Sequence, residues 1–279
     1  MKEKLYSIEK KIKLQPNDQC ICGSGLKYKE CCLDKKFDYK TLGRNYEGRD
    51  IVFNSTEINK LYEYISNFLL KDILDKELSV SKGKEYLKHL YKNAQNGTSH
   101  FAKYTSCKKG CSGCCHIYMD CTAIEAELIR EYISENFNEK QIMCLNSKIK
   151  ETINQIPEYN MILEASNKDD LINKYGAKHL PCIFLSEDNS CSIYDVRPFN
   201  CRKLISFSKN SDCMEGDTIV KPNISIDNIV SYSINHLSMN ITRYKKLKIY
   251  SKDESEYKSI YKSIQHWFSN GFSEINRNL

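Results

Sequence analysis

The sequence contains no long apolar run, and this absence limits the class of protein. A helix needs roughly 20 consecutive apolar residues to cross a bilayer, and no stretch of the 279-residue chain approaches that length. The N-terminal segment MKEKLYSIEKKIKLQP also lacks the continuous apolar core of a signal peptide. We therefore expect no membrane span and a cytoplasmic location.

Several signatures of catalysis and nucleotide binding are missing too. The chain has no G-x-G-x-x-G turn and no G-x-x-x-x-G-K-S/T loop, and no Ser/His/Asp set or catalytic carboxylate pair can be defined. The sequence therefore identifies no catalytic residue. The formal net charge is +6, but two four-thiolate zinc sites of about −2 each would reduce it to roughly +2. We expect no specific nucleic-acid partner.

Cysteine is abundant instead, with 14 residues spread unevenly along the chain. A disulfide framework does not persist in a reducing compartment. Clustered thiols in such a chain indicate a bound metal ion or an iron–sulfur cluster.

The first cysteine group lies in the segment PNDQCICGSGLKYKECCL, which is too small to fold on apolar burial alone. Its members follow the pattern C-x-C-x8-C-C: Cys20, Cys22, Cys31 and Cys32. A tight turn at Gly23 and Gly25 lets both pairs of thiolates converge on one tetrahedral ion. With four ligands the site is closed, so we predict a structural zinc.

This segment closely resembles the SEC-C motif, the zinc-binding tail element of the SecA translocation ATPase that also occurs in many other bacterial proteins. The resemblance covers about 17 residues. It implies that the four cysteines hold zinc and that the module docks onto a protein or a ribosome.

The second group is split between two distant parts of the chain. Its early members are Cys107, Cys111, Cys114 and Cys115, and its late members are Cys182, Cys191, Cys201 and Cys213. Thiols this far apart indicate that a shared centre joins distant segments. Sequence alone does not separate zinc from an iron–sulfur cluster. It also leaves open which cysteines share a centre.

The motifs CKKGCSGCC, TAIEA, CIFL, CSIY and RPFNCR, followed by Cys213, occur in the order typical of the YkgJ-type cysteine cluster family. This resemblance to a zinc- or iron-chelating family spans about residues 100–215. The C-x-x-x-C-x-x-C spacing also matches radical SAM enzymes, but Gly113 stands where they usually have an aromatic residue, and the downstream pattern is helical.

Neighbouring residues give weaker indications. The guanidinium groups of Arg197 and Arg202 flank Cys201 and can offset thiolate charge or bind an anion. Cys121 and Cys144 lie outside the family pattern, so we interpret them as core thiols. His116 adjoins Cys115 and is a weak candidate ligand.

Helical periodicity dominates the chain and predicts a mainly α fold. We expect a small zinc module of short strands, a turn and a helix over 1–34, a linker over 35–53, and a helical cysteine-cluster domain over 54–279, with its motif core at 100–215. Predicted helices cover 3–14, 55–78, 82–94, a segment from about 123, 139–154, 226–249 and 254–268.

These observations predict a metal-binding protein with a structural zinc in the N-terminal module and a zinc or iron–sulfur centre in the main domain. The alternative is an S-adenosylmethionine-dependent protein lysine methyltransferase carrying an iron–sulfur cluster. It follows from a looser resemblance to the flagellin lysine methylases, whose later motif differs from RPFNCR.

Overall fold

The computed structural model describes residues 3–6, 9–108, 110–165, 167–215, 219–247, 250–252, 257–273 and 275. Within these residues the protein is mainly α, as predicted, with several small sheets. None of the described helices is both long and apolar enough to cross a bilayer.

The helices account for most of the chain. They are α1 Ser55–Tyr64, α2 Lys71–Asp75, α3 Val80–Ser99, α4 Ala123–Asn136, α5 Glu139–Thr152, α6 Tyr159–Glu164, α7 Lys168–Gly176, α8 Phe199–Arg202, α9 Asn210–Glu215, α10 Ser225–Met239, α11 Thr242–Leu247 and α12 Ile264–Trp267. A π-helical stretch, Ile65–Leu70, joins α1 to α2. Short 3-10 helices include Tyr28–Glu30, Gly113–His116 and Tyr194–Val196.

Side-chain caps set the starts of the long helices. Asn54 accepts hydrogen bonds from the first turn of α1. Thr122 and Glu125 form the capping box predicted for α4. Asn138 and Gln141 form another at α5. The predicted helices at 55–78, 82–94, about 123, and 139–154 are confirmed, although α3 is longer than expected.

The strands are β1 Glu3–Tyr6, β2 Lys10–Lys11, β3 Tyr39–Arg44, β4 Asp50–Asn54, β5 Asp120–Thr122, β6 Ile219–Pro222, β7 Tyr250–Lys252, β8 Tyr257–Ser259 and β9 Tyr261–Ser263. The order β2-β3-β4 makes an antiparallel sheet, and two-stranded pairs join β1 to β6, β5 to β9 and β7 to β8.

Two predicted helices are wrong. The segment 3–14 contains β1 and β2, with residues 7 and 8 outside the described part. In 254–268, whose first three residues are also outside it, β8 and β9 precede the one-turn α12. The helix predicted for 226–249 is present but divided into α10 and α11, and residues 248 and 249 are not described. In both segments one strand, β1 or β9, pairs with a strand more than 100 positions away, which local periodicity does not report.

Residues 35–53, interpreted as a linker, contain β3 and most of β4. The turn of this hairpin is bound to the rest of the protein. Asn45 Nδ2 donates to the Tyr104 carbonyl at 3.1 Å, and the Tyr46 amide donates to the Phe207 carbonyl at 2.8 Å. Tyr104 lies three residues before Cys107, and Phe207 directly follows Ser206. The amide of Ser206 in turn donates a hydrogen bond to the sulfur of Cys107.

The large core is built around α10, which packs against α1, α3, α4 and the π-helical stretch. The apolar faces of these helices bury Leu87, Leu90, Ile129, Val230 and Leu237. A separate, small cluster consists of Cys20, Cys32 and Tyr39. The four-cysteine segment therefore has little apolar core of its own.

Candidate metal centres

The first cysteine group converges in space. The sulfur atoms of Cys20, Cys22, Cys31 and Cys32 all lie within 4.8 Å of one another. The sulfurs of Cys22 and Cys31 are 3.5 Å apart, and those of Cys31 and Cys32 are 3.6 Å apart. A tetrahedral zinc site with Zn–S bonds of about 2.3 Å separates its sulfurs by about 3.8 Å. The four thiols therefore fit one zinc ion.

The backbone of the segment brings the two pairs together. Gly23 and Gly25 have φ angles of 88° and 77°, a left-handed conformation that glycine adopts without a steric penalty. The turn closes where the Cys20 amide donates to the Leu26 carbonyl at 2.7 Å. The Tyr28 carbonyl then accepts from the amides of Cys31 and Cys32, so a single 3-10 turn positions the second pair.

Two hydroxyl groups contact these sulfurs. Ser24 Oγ lies 3.2 Å from Cys31 Sγ and accepts a hydrogen bond from the Leu26 amide. Its own proton is therefore free to point at the sulfur of Cys31 or of Cys22. The Tyr39 hydroxyl donates to Cys32 Sγ at 3.4 Å. Sequence reasoning missed Tyr39, because it lies on β3, beyond the cysteine pattern, and no spacing rule connects it to the site.

The thiols of this group differ in acidity. Burial raises the pKa of Cys20 to about 12. A hydrogen bond from Ser24 lowers the pKa of Cys22 to about 6. The metal ligand is the thiolate, so metal binding must displace protons from the buried thiols of this group.

The second group is more dispersed. Among the described residues, no other set of three or more His, Cys, Asp or Glu side chains brings its ligand atoms within 4.8 Å of one another. Part of the second group instead surrounds a cavity of about 50 Å³. The cysteines that line it are Cys114, Cys115, Cys182, Cys191 and Cys201. A single water needs about 10–15 Å³ of such space, so the cavity accommodates more than one water molecule.

The walls of this cavity come from five parts of the chain. They are residues between 114 and 119, Ile156, Tyr175, residues between 182 and 201, and residues 263–265 at the junction of β9 and α12. The Cys182 amide donates to the Cys115 carbonyl at 2.7 Å and ties two of these parts together. Burial raises the pKa of Cys182 to about 12, and the charges of Cys191 and Cys114 add to the rise.

The remaining cysteines, Cys107, Cys111 and Cys213, lie outside the cavity lining. The Ser206 amide donates to Cys107 Sγ at 3.3 Å, and Cys111 Sγ donates to Asn210 Oδ1 at 2.8 Å. Burial raises the pKa of Cys107 to about 11, and the charges of Cys111, Cys114 and Cys213 also raise it. Cys114 therefore interacts electrostatically with Cys182 in the cavity and with Cys107 outside it.

A buried carboxylate holds the RPFNCR segment in place. Glu125 Oε1 accepts hydrogen bonds from the Tyr91 hydroxyl at 2.9 Å and from the Phe199 amide at 2.8 Å. Its Oε2 accepts from the amide and hydroxyl of Thr122 at 2.8 and 3.0 Å. The sequence identified Glu125 only as a local cap, whereas its Oε1 atom links α3 and α8.

The two arginines have different surroundings. Arg197 lines the cavity, and its guanidinium lies 4.1 Å from the centre of the Tyr194 ring. The pKa of Cys114 is raised by a hydrogen bond with Cys115 and by burial, and Arg197 opposes that rise. Arg202 stacks 4.2 Å from the Tyr91 ring centre and donates from Nε to the Arg197 carbonyl at 2.8 Å. Arg197 therefore favours the thiolate form of Cys114, while Arg202 holds the backbone at Arg197 through a hydrogen bond.

The comparisons with known proteins concern the first group. Residues 17–34 match the SEC-C motif. No curated protein and no solved structure matches the chain. The match contains all four converging cysteines, so the chain carries a SEC-C motif with a sulfur cluster able to hold a metal ion.

The remaining candidates, two cysteines and a histidine, differ in their burial and contacts. Cys121 is buried in the main core, as expected of a core thiol. Cys144 is exposed on α5, so its interpretation as a core thiol is wrong. The Nδ1 atom of His116 lies 3.0 Å from the Ser112 carbonyl, which occupies one of the two ring nitrogens.

Proposed function

We propose that the protein binds metal at two places: a structural zinc in the SEC-C motif, and a zinc or iron–sulfur centre in the main domain. The single observation that carries the proposal is the convergence of four sulfurs within 4.8 Å at the SEC-C motif. Zinc with four protein ligands has no open coordination position. The ion would supply folding stability to a segment that buries few apolar residues.

We infer a docking role for the SEC-C module. Two of its apolar side chains remain exposed, Leu26 at 50% and Leu33 at 38%. Lys27, Lys29 and Lys35 lie beside them in the sequence. A small metal-stabilised surface with exposed leucines and lysines suits contact with a protein or a ribosome.

For the main domain we propose a YkgJ-type cysteine centre. This is supported by the cavity, because five cysteines from distant parts of the chain line one partly open space. An iron–sulfur cluster is several atoms wide and holds its thiolates farther apart than one zinc ion does. The proposal for the main domain therefore includes an iron–sulfur cluster as well as zinc.

The contacts also favour a division of the eight cysteines. Cys182, Cys191 and Cys201 line the cavity together with the adjacent Cys114 and Cys115. The set of Cys107, Cys111 and Cys213 lies around Ser206 and Asn210. We propose that Cys114 and Cys115 lie between these two sets and provide metal ligands there.

The methyltransferase alternative remains a second proposal. Its support is the apolar wall of the cavity, which includes Ile117, Phe184 and Ile193 beside the thiols and could receive an organic ligand. Calorimetry with S-adenosylmethionine on the metal-loaded chain is the test of this alternative.

Metal analysis of cysteine variants tests the main proposal. We expect the Cys31→Ser, Cys32→Ser chain to lose about one zinc ion while it keeps the main-domain metal. The Cys114→Ser, Cys201→Ser chain should lose the main-domain metal and keep the zinc, because the two sites share no ligand. Cys144→Ser is the matched control, since this exposed thiol belongs to neither set. Unchanged metal content and folding in both double variants would refute the proposal.

A further inference from the structure

Tyr39 lies outside the SEC-C motif, and its side chain reaches the sulfur cluster. It lies five positions beyond the last matched residue, which is residue 34. It is only 6% exposed and forms the small buried cluster with Cys20 and Cys32. Its hydroxyl donates to Cys32 Sγ at 3.4 Å.

The sheet holds this hydroxyl in place. Tyr39 pairs with Asn54 on β4, and its carbonyl accepts the Ile12 amide at 2.8 Å just beyond β2. Phe37 packs edge-on against the Tyr39 ring, with centroids 6.5 Å apart. The donor is therefore held in place by two strands and a neighbouring ring.

A donor in this position suits the chemistry of a four-thiolate site. Zinc with four thiolates carries about −2, and hydrogen bonds to the sulfurs spread this surplus charge. Ser24 is placed to do so at Cys31 from within the motif. Tyr39 does so at Cys32 from outside it, and at a buried position where a charge-assisted hydrogen bond is stronger.

We infer that Tyr39 is a positioning residue of the N-terminal metal site and that the β2-β3-β4 sheet belongs to the same functional unit as the SEC-C motif. The inference rests on the proposed zinc at the motif. It names a residue and a sheet that the motif itself does not include.

The test compares Tyr39→Phe with the wild-type full chain. Competition with a chelator measures zinc affinity, and we expect it to fall by about 10-fold or more, as for other groups that hydrogen-bond to metal ligands. Cobalt substitution gives a second readout. Loss of the hydrogen bond raises the energy of the Cys32 lone pairs, so the sulfur-to-cobalt charge-transfer band should move to longer wavelength.

Two controls make the result specific. Tyr28→Phe removes a hydroxyl from another tyrosine packed against the same cluster and should change neither readout. The Cys31→Ser, Cys32→Ser chain supplies the cobalt signal of the rest of the molecule for subtraction. If wild type binds no metal at the motif, the proposed zinc site fails. If wild type binds and Tyr39→Phe matches it in affinity and spectrum, only the role of Tyr39 is overturned.

Discussion

Single side chains determine how well the metal-binding segments are organised. The spacing of the first four cysteines predicts that they converge, because a thirteen-residue segment with a glycine turn has few other ways to bring its thiols together. The contributions of Tyr39 and Glu125 were not predictable in the same way. Each contacts a partner that depends on tertiary packing, as with Tyr39 on Cys32 and Glu125 on Phe199.

Glu125 leads to a prediction at this scale. In Glu125→Gln, one of the two carboxylate oxygens becomes an NH₂ group that cannot accept a hydrogen bond. Buried donors then lose a partner, at about 1–3 kcal/mol each. We expect the free energy of unfolding, measured by chemical denaturation, to fall by about 3 kcal/mol.

The control for this variant is Glu135→Gln, on the exposed face of the same helix. A surface change of this kind should alter stability by less than about 0.5 kcal/mol. Equal stability of the Glu125 and Glu135 variants would contradict the role given to Glu125.

At the scale of elements, the long helices were predictable and the short strands were not. The apolar periods of α4 and α5 extend over about four turns and are bounded by capping boxes. The strands β1 and β9 each have only a few residues, and their partners β6 and β5 are more than 100 positions away. No local pattern encodes such a pairing, so helix was predicted in both regions.

The packing of α9 on the 3-10 helix Gly113–His116 gives an element-scale prediction. A Cβ added at Gly113 would lie 2.8 Å from Cys213 Cβ and 3.0 Å from its backbone carbonyl. Gly113→Ala must therefore push α9 away and separate Cys213 from Cys111 and Cys114. We expect a lower melting temperature and less metal bound by the main domain.

Gly176→Ala, at the end of α7, is the matched control, because an added Cβ there meets no atom within 4 Å. Alanine favours helix over glycine by about 1 kcal/mol, so this variant should be as stable as wild type or slightly more stable. A Gly113→Ala chain with wild-type metal content would show that the approach of α9 is unimportant for the centre.

At the scale of the whole molecule, the two cysteine regions are connected through the β3-β4 hairpin. Tyr39 on β3 contacts the SEC-C cluster, and the hairpin turn binds Tyr104 and Phe207 beside the second group. The domain boundaries predicted at residues 34 and 53 stay a prediction. The β3-β4 hairpin, which covers most of the interval between them, pairs through β3 with β2, which precedes the motif.

The most direct test of the central claim is the amount of zinc, iron and acid-labile sulfide in wild-type protein purified without oxygen, together with its absorption spectrum. We predict at least about one zinc ion per chain from the SEC-C site. A second metal should accompany it, either further zinc or iron with matching sulfide and a broad band near about 400 nm. Protein that is folded and carries no stoichiometric metal would contradict the account.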